Sequence, residues 1–144
     1  MRPVVVVGAG PAGMAAACAA AAAGARVLLV DSAPKLGGQY HRQDRTPGVE
    51  AFTLPDTVEH LAETVVFAVE PVPGGHRLHL RTGQADGPGR RARRVDTAAL
   101  VLATGAHDRA LPFPGWDLPG VYTAGAAQAL AKGQGVAVGK RVLL

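Results

Sequence analysis

A chain of 144 residues with 48% hydrophobic and 18% charged content has the apolar material for about one domain with a real core, which excludes a largely disordered segment. Its single cysteine, Cys18, excludes an intrachain disulfide, a CxxC redox pair and a cysteine-based metal cluster, and reads as a small apolar residue inside a helix. The net charge of +4 comes largely from arginine, but the densest cluster, Arg90-Arg91 and Arg93-Arg94, has no interleaved aromatics and is flanked by Asp86 and Asp96, so it reads as a solvated loop and not as a nucleic-acid surface.

Pro3 to Val7 predicts a first strand, rich in valine and ended by the glycine turn Gly8-Ala9-Gly10-Pro11-Ala12-Gly13. Ala12 to Ala23 predicts a helix of high alanine content, with Gly24 just past its end. Arg26 to Val30 predicts a second strand, parallel and adjacent to the first, closed by Asp31. The apolar run after Met1-Arg2 is too short for a secretory leader and is broken by the glycines. No stretch approaches the ~20 apolar residues of a membrane span, so the expected location is the cytoplasm.

Strand, glycine turn, helix, second strand and terminal acid together point to a dinucleotide. Gly8 allows the sharp exit from the strand, Gly10 lets a diphosphate approach the backbone, and Gly13 permits close packing of helix on strand. The helix N-terminus carries amides without intrahelical partners and partial positive charge, which suits a diphosphate. Asp31 is placed to accept hydrogen bonds from a ribose hydroxyl pair and to repel a 2′-phosphate. The site is therefore expected to take FAD or NAD rather than NADP.

Further along, Ser32 to Gly48 is expected to be loop, and Val58 to Ala62 a short helical turn. Thr64 to Glu70 and His76 to Thr82 predict a hairpin around Pro71-Val72-Pro73-Gly74-Gly75, with a third strand from Arg93 to Thr97. Ala98 to Ala103 predicts a strand buried on both faces that returns to the parallel sheet, ended by Thr104-Gly105. The fold class is thus α/β, a Rossmann-like parallel sheet with an inserted antiparallel β-meander at about 63–97. A simple nicotinamide-only dehydrogenase, the alternative reading, would continue with further βα units. Among the loop residues, Asp108 and Arg109 are expected to form an ion pair beside His107, Trp116 to anchor packing, and Tyr40, His41 and Arg42 to face a substrate or partner.

The combination of the glycine turn, Gly37-Gly38-Gln39-Tyr40, Ala103-Thr104-Gly105-Ala106 and the run from Leu111-Pro112-Phe113-Pro114-Gly115-Trp116 to Ala124-Gly125-Ala126-Ala127-Gln128 resembles the two-dinucleotide-binding flavoproteins. The likeness is greatest to the FAD/NAD(P)-binding subunits of opine oxidase, hydrogen cyanide synthase, dye-linked proline dehydrogenase and sarcosine oxidase (its alpha chain). The resemblance implies FAD as cofactor, with Gly8, Gly10, Pro11, Ala12, Gly13, Asp31 and Ser32 around its ADP half. It also implies Gly38 and Gln39 along the cofactor toward the flavin, and Ala103, Thr104 and Gly105 where a strand end passes near it. The implied activity is oxidation at a carbon–nitrogen bond of an amino acid or opine, the implied partner being a second flavoprotein subunit that oxidises substrate. No catalytic base is nominated. Residues 1–134 are expected to form the FAD-binding domain. Residues 135–144, with Val138 to Leu144 as a first strand, are expected to open a truncated second domain in which NAD(P) would bind. Gln43 to Leu61 is short for the family. The chain thus reads as an N-terminal fragment, with a non-catalytic remnant or scaffold as the rival to a working subunit.

Overall fold

The computed structural model describes residues 2–41, 52–83 and 87–143. The expectations for Arg42, for Gln43 and the residues up to 51, and for Asp86 lie outside the described residues. The elements are β1 (Val4–Val7), α1 (Pro11–Ala22), β2 (Val27–Val30), α2 (Gly38–His41), β3 (Val58–Leu61), β4 (Thr64–Val72), β5 (Gly75–Thr82), β6 (Arg91–Thr97), β7 (Ala99–Leu102), α3 (Ala124–Ala129) and a π-helical turn, Leu130–Gln134. They divide into one unit formed by Met1–Tyr40 and Ala51–Gly105, and a second formed by His41–Glu50 and Ala106–Leu144.

In the first unit, α1 begins with Gly10 as an extended N-cap and Pro11 in the first turn, where a missing N–H costs nothing. It ends at Gly24: the Gly24 N–H donates to the Ala21 carbonyl and the Ala25 N–H to the Ala20 carbonyl, the paired bonds that satisfy the last carbonyls of a helix. Between these stops the alanines give helix propensity and a thin face, which buries Gly13 and Ala17.

The parallel sheet runs in the order β3-β2-β1-β7. Val4 to Val7 pair in register with Val27 to Val30 on one side and with Ala99 to Leu102 on the other. Alternation along β1 and β2 splits the core in two. Val6, Val27 and Leu29 pack with Ala9, Ala17 and Val58, while Val5, Leu28 and Val30 pack with Leu78, Leu80 and Val95 of the meander. Because both faces of β2 are covered, its sequence is apolar throughout.

The meander is antiparallel in the order β4-β5-β6, with a register shift between Val66 and Ala68. The hairpin and third strand fall where the sequence predicts them. Three expectations need correction. Val58 to Leu61 is not a helical turn but an edge strand, with Leu28 opposite Glu59 and Leu29 opposite His60. So short a segment suits either state, and pairing with β2 decides it. β7 does join β1, but it is an edge strand and is not buried on both faces: Leu102 is 67% exposed. Arg91, Arg93 and Arg94 lie in β6 and not in a loop; they are exposed, and the Arg93 guanidinium stands 3.5 Å from the Glu59 carboxylate.

In the second unit Thr123 caps α3, its hydroxyl accepting from the Ala126 N–H at 3.2 Å. Asp108 joins the same turn and accepts from the Gly125 N–H at 2.6 Å. The Thr123 hydroxyl and the Gly125 N–H hold its carboxyl below the usual carboxylate range. The expected pairing of Asp108 with Arg109 is replaced by this cap, because fixed backbone donors are a better match for a carboxylate than a long solvated cation. Trp116, expected as a packing anchor, is 51% exposed. Val138 to Leu143 forms no strand; an isolated apolar run has no ladder to join.

Candidate functional site

The site is built where β1 gives way to α1. Gly8 has φ +103°, and a Cβ there would collide with the Ala103 carbonyl. A Cβ on Gly13 would collide with the Gly8 carbonyl and come within 3.4 Å of the Ala103 side chain. Gly8, Gly13 and Ala103 thus form one tight knot, extended by the Ala103 N–H, which donates to the Val7 carbonyl at 2.8 Å. Gly10 differs: a Cβ there would meet nothing within 4 Å. Gly8 and Gly13 are required by the fold itself, whereas Gly10 opens backbone toward space. On that open side the amides of Ala12 and Gly13 precede the first intrahelical bond, which runs from the Met14 N–H to the Gly10 carbonyl at 2.9 Å. An anion seated there meets unpaired donors and the positive end of a helix dipole.

The second glycine pair comes to the same place. The Gly37 N–H donates to the Ala9 carbonyl at 2.8 Å, and a Cβ on Gly38 would lie 2.9 Å from the Gly10 Cα. Gln39 and Ser32 are exposed, as are Thr104 and Gly105, with the Thr104 amide beside Gly8.

Asp31, expected to hold a ribose, makes backbone contacts that the sequence did not reveal. One carboxylate oxygen accepts from the Ala9 N–H inside the glycine turn, and the other accepts from the Ala33 N–H at 2.7 Å. The acid therefore clamps the turn to the end of β2, and each oxygen keeps a second lone pair for a ligand. A carboxylate beside open backbone fits a sugar hydroxyl pair and disfavours a phosphate.

Two further polar residues gather here. His60 of β3, opposite Leu29, shares the α1 face of the sheet, two register positions short of Asp31. Its Nε2 is buried without a hydrogen-bond partner among the described residues; burial lowers its pKa, and the Asp31 charge opposes that shift. Glu63 follows β3 and has φ +48°. Sequence reasoning missed both, since a helical turn at 58–62 separates them from Asp31. The alternation of Val58, His60 and Ala62 was the available signal.

Comparison with known proteins identifies the family and the fold. The family model described as FAD dependent oxidoreductase matches residues 3–107. An opine oxidase subunit from Agrobacterium tumefaciens (strain Ach5) is 42% identical over 151 residues, covering 92% of this chain and 29% of that protein. Hydrogen cyanide synthase subunit HcnB from Pseudomonas aeruginosa is 36% identical over 137 residues, covering 89% of this chain and 29% of that protein. The chain thus spans about three-tenths of the length of these relatives. Among solved structures, L-proline dehydrogenase from P. horikoshii has the same fold, with TM-score 0.75 and 23% identity over 96% of this chain and 30% of that one. Among the described residues no helix is long and apolar enough to cross a membrane.

Proposed function

The chain belongs to the FAD dependent oxidoreductase family, and from that premise we propose that it seats the ADP half of FAD at the β1–α1 turn as part of a cytoplasmic enzyme oxidising a carbon–nitrogen bond of an amino acid or opine. The observation that carries the reading is Gly10: open on its ligand side, between two glycines that the fold cannot replace and beside the amides of Ala12 and Gly13, which have no intrahelical partner. Asp31 would hold the ribose hydroxyls through the lone pairs its backbone contacts leave unused. Gly37 and Gly38 would carry the cofactor onward, since bare backbone allows a planar ring close approach. Flavin supplies the hydride chemistry once bound; the residues of this chain position it and keep the diphosphate compensated.

The substrate class rests on the name of the opine oxidase relative, and the presence of a second, substrate-oxidising subunit on the fact that both relatives are named as subunits. Residues 1–134 would then be the FAD-binding domain, and a second dinucleotide domain, for NAD(P), would open near residue 135. Titrating the 144-residue chain into FAD tests the proposal. Saturable quenching of flavin fluorescence, reversed by ADP and lost in Gly10→Val, is expected. Unchanged fluorescence at every protein concentration overturns it.

A further inference from the structure

We propose that Glu63 is a specificity-determining residue of the same site, a second carboxylate that favours an unphosphorylated adenosine and turns away a 2′-phosphate. The inference rests on the diphosphate reading of the glycine turn and adds to it a residue from a different part of the chain.

Glu63 stands in the left-handed region of backbone space at φ +48°, and every other residue at positive φ among those described is a glycine. A side chain with a Cβ is strained there. Such strain persists only where the surroundings impose it. Here they do: the Glu63 N–H donates to the Ala33 carbonyl at 3.2 Å, the Gly83 N–H donates to the Glu63 carbonyl at 2.9 Å, and the Thr64 N–H donates to the Asp31 carbonyl at 2.8 Å. These bonds fix the corner for any residue, glycine included, so they do not explain why a glutamate occupies it.

The placement does. The Ala33 amide that donates to the Asp31 carboxylate belongs to the residue whose carbonyl accepts from Glu63, so two bonds in series, of 2.7 and 3.2 Å, join the ribose acid to this corner. Glu63 is half-buried, and its carboxylate makes no hydrogen bond or ion pair among the described residues. The backbone thus sets a second acid two hydrogen bonds from Asp31, at the sugar end of the site. Hydroxyl and amine groups of adenosine are donors that such an acceptor welcomes. A 2′-phosphate would place like charge next to Asp31 and Glu63 together, and removing one of two such charges relaxes discrimination by roughly tenfold. FAD carries no 2′-phosphate, so this pair would keep phosphorylated nicotinamide dinucleotides out of the flavin's seat.

The test compares ADP with 2′-phosphorylated ADP by calorimetric titration of the 144-residue chain, of Glu63→Gln, which keeps the shape, and of Glu63→Gly, which also removes the backbone strain and so guards against loss of folding. The wild-type chain is expected to prefer ADP, and both variants to narrow that preference by about tenfold. ADP binding retained with an unchanged preference in both variants overturns the role of Glu63 alone. A wild-type chain that binds neither nucleotide overturns the diphosphate reading, and this inference with it.

Discussion

Gly38 closes over Gly10: a side-chain carbon at position 38 would lie 2.9 Å from the Gly10 Cα, so the glycine pair after β2 and the turn after β1 meet backbone to backbone. Two segments separated by a helix and a strand thereby make one continuous, side-chain-free surface. That contact explains why both glycine clusters belong to one site.

The glycines of this surface separate by consequence. Gly13→Ala drives a methyl into the Gly8 carbonyl and should cost about 3 kcal/mol or more, as overpacking against backbone does. Gly10→Ala meets nothing within 4 Å and should leave the melting temperature nearly unchanged while weakening ADP binding at least tenfold. Thermal melts and ADP titrations on the two variants check the contrast; equal destabilisation of both would contradict it.

Asp31→Asn should weaken both fold and site. An amide has one acceptor oxygen where the carboxylate satisfies the Ala9 and Ala33 N–H groups, so one donor is left facing an NH2 group. A loss of roughly 1–3 kcal/mol is expected by chemical denaturation. ADP affinity should fall in parallel, and a variant as stable as the parent would show that the clamp contributes nothing.

Stability should depend on the protonation of His60. Burial lowers its folded-state pKa below the ordinary 6.5, with the Asp31 charge partly opposing, so the folded chain favours the neutral ring. The unfolded chain binds the proton first, and stability is therefore full above about 6.5 and lost as the pH falls through the folded-state value. Denaturation curves from neutral to mildly acidic pH should show the parent chain losing stability relative to His60→Gln as acid is added. Curves that stay parallel would exclude His60 as the source.

Asp108 links loop and helix with the same direction of pH dependence, although here the charged form is the one favoured. Its folded pKa lies below the ordinary 3.8 because the Thr123 hydroxyl and the Gly125 N–H favour the carboxylate, so its ordering of the α3 turn is present above 3.8 and lost as pH falls through the depressed value. Asp108→Ala should speed amide exchange at Gly125 at neutral pH, read by NMR. Protection at Gly125 equal to that of the parent would remove Asp108 from the cap.

Much of the fold and the outline of the site were legible in the residues alone. The valine runs, the glycine turn and the alanine helix are local: strand alternation, left-handed backbone and helix propensity act over a few residues and need no distant partner. Hence β1, α1, β2 and the meander hairpin fall where predicted, and Asp31 stands at the strand end its spacing from the glycines assigns. Tertiary structure decided the rest. Val58 to Leu61 became a strand only by pairing with β2, which brought His60 and Glu63 toward Asp31 across a loop. The Asp31 carboxylate turned onto the Ala9 and Ala33 amides, and Asp108 onto Gly125, because backbone donors positioned by other parts of the chain outcompete water and solvated cations. Local propensity carries no record of such partners, since their energy appears only when segments distant in sequence meet.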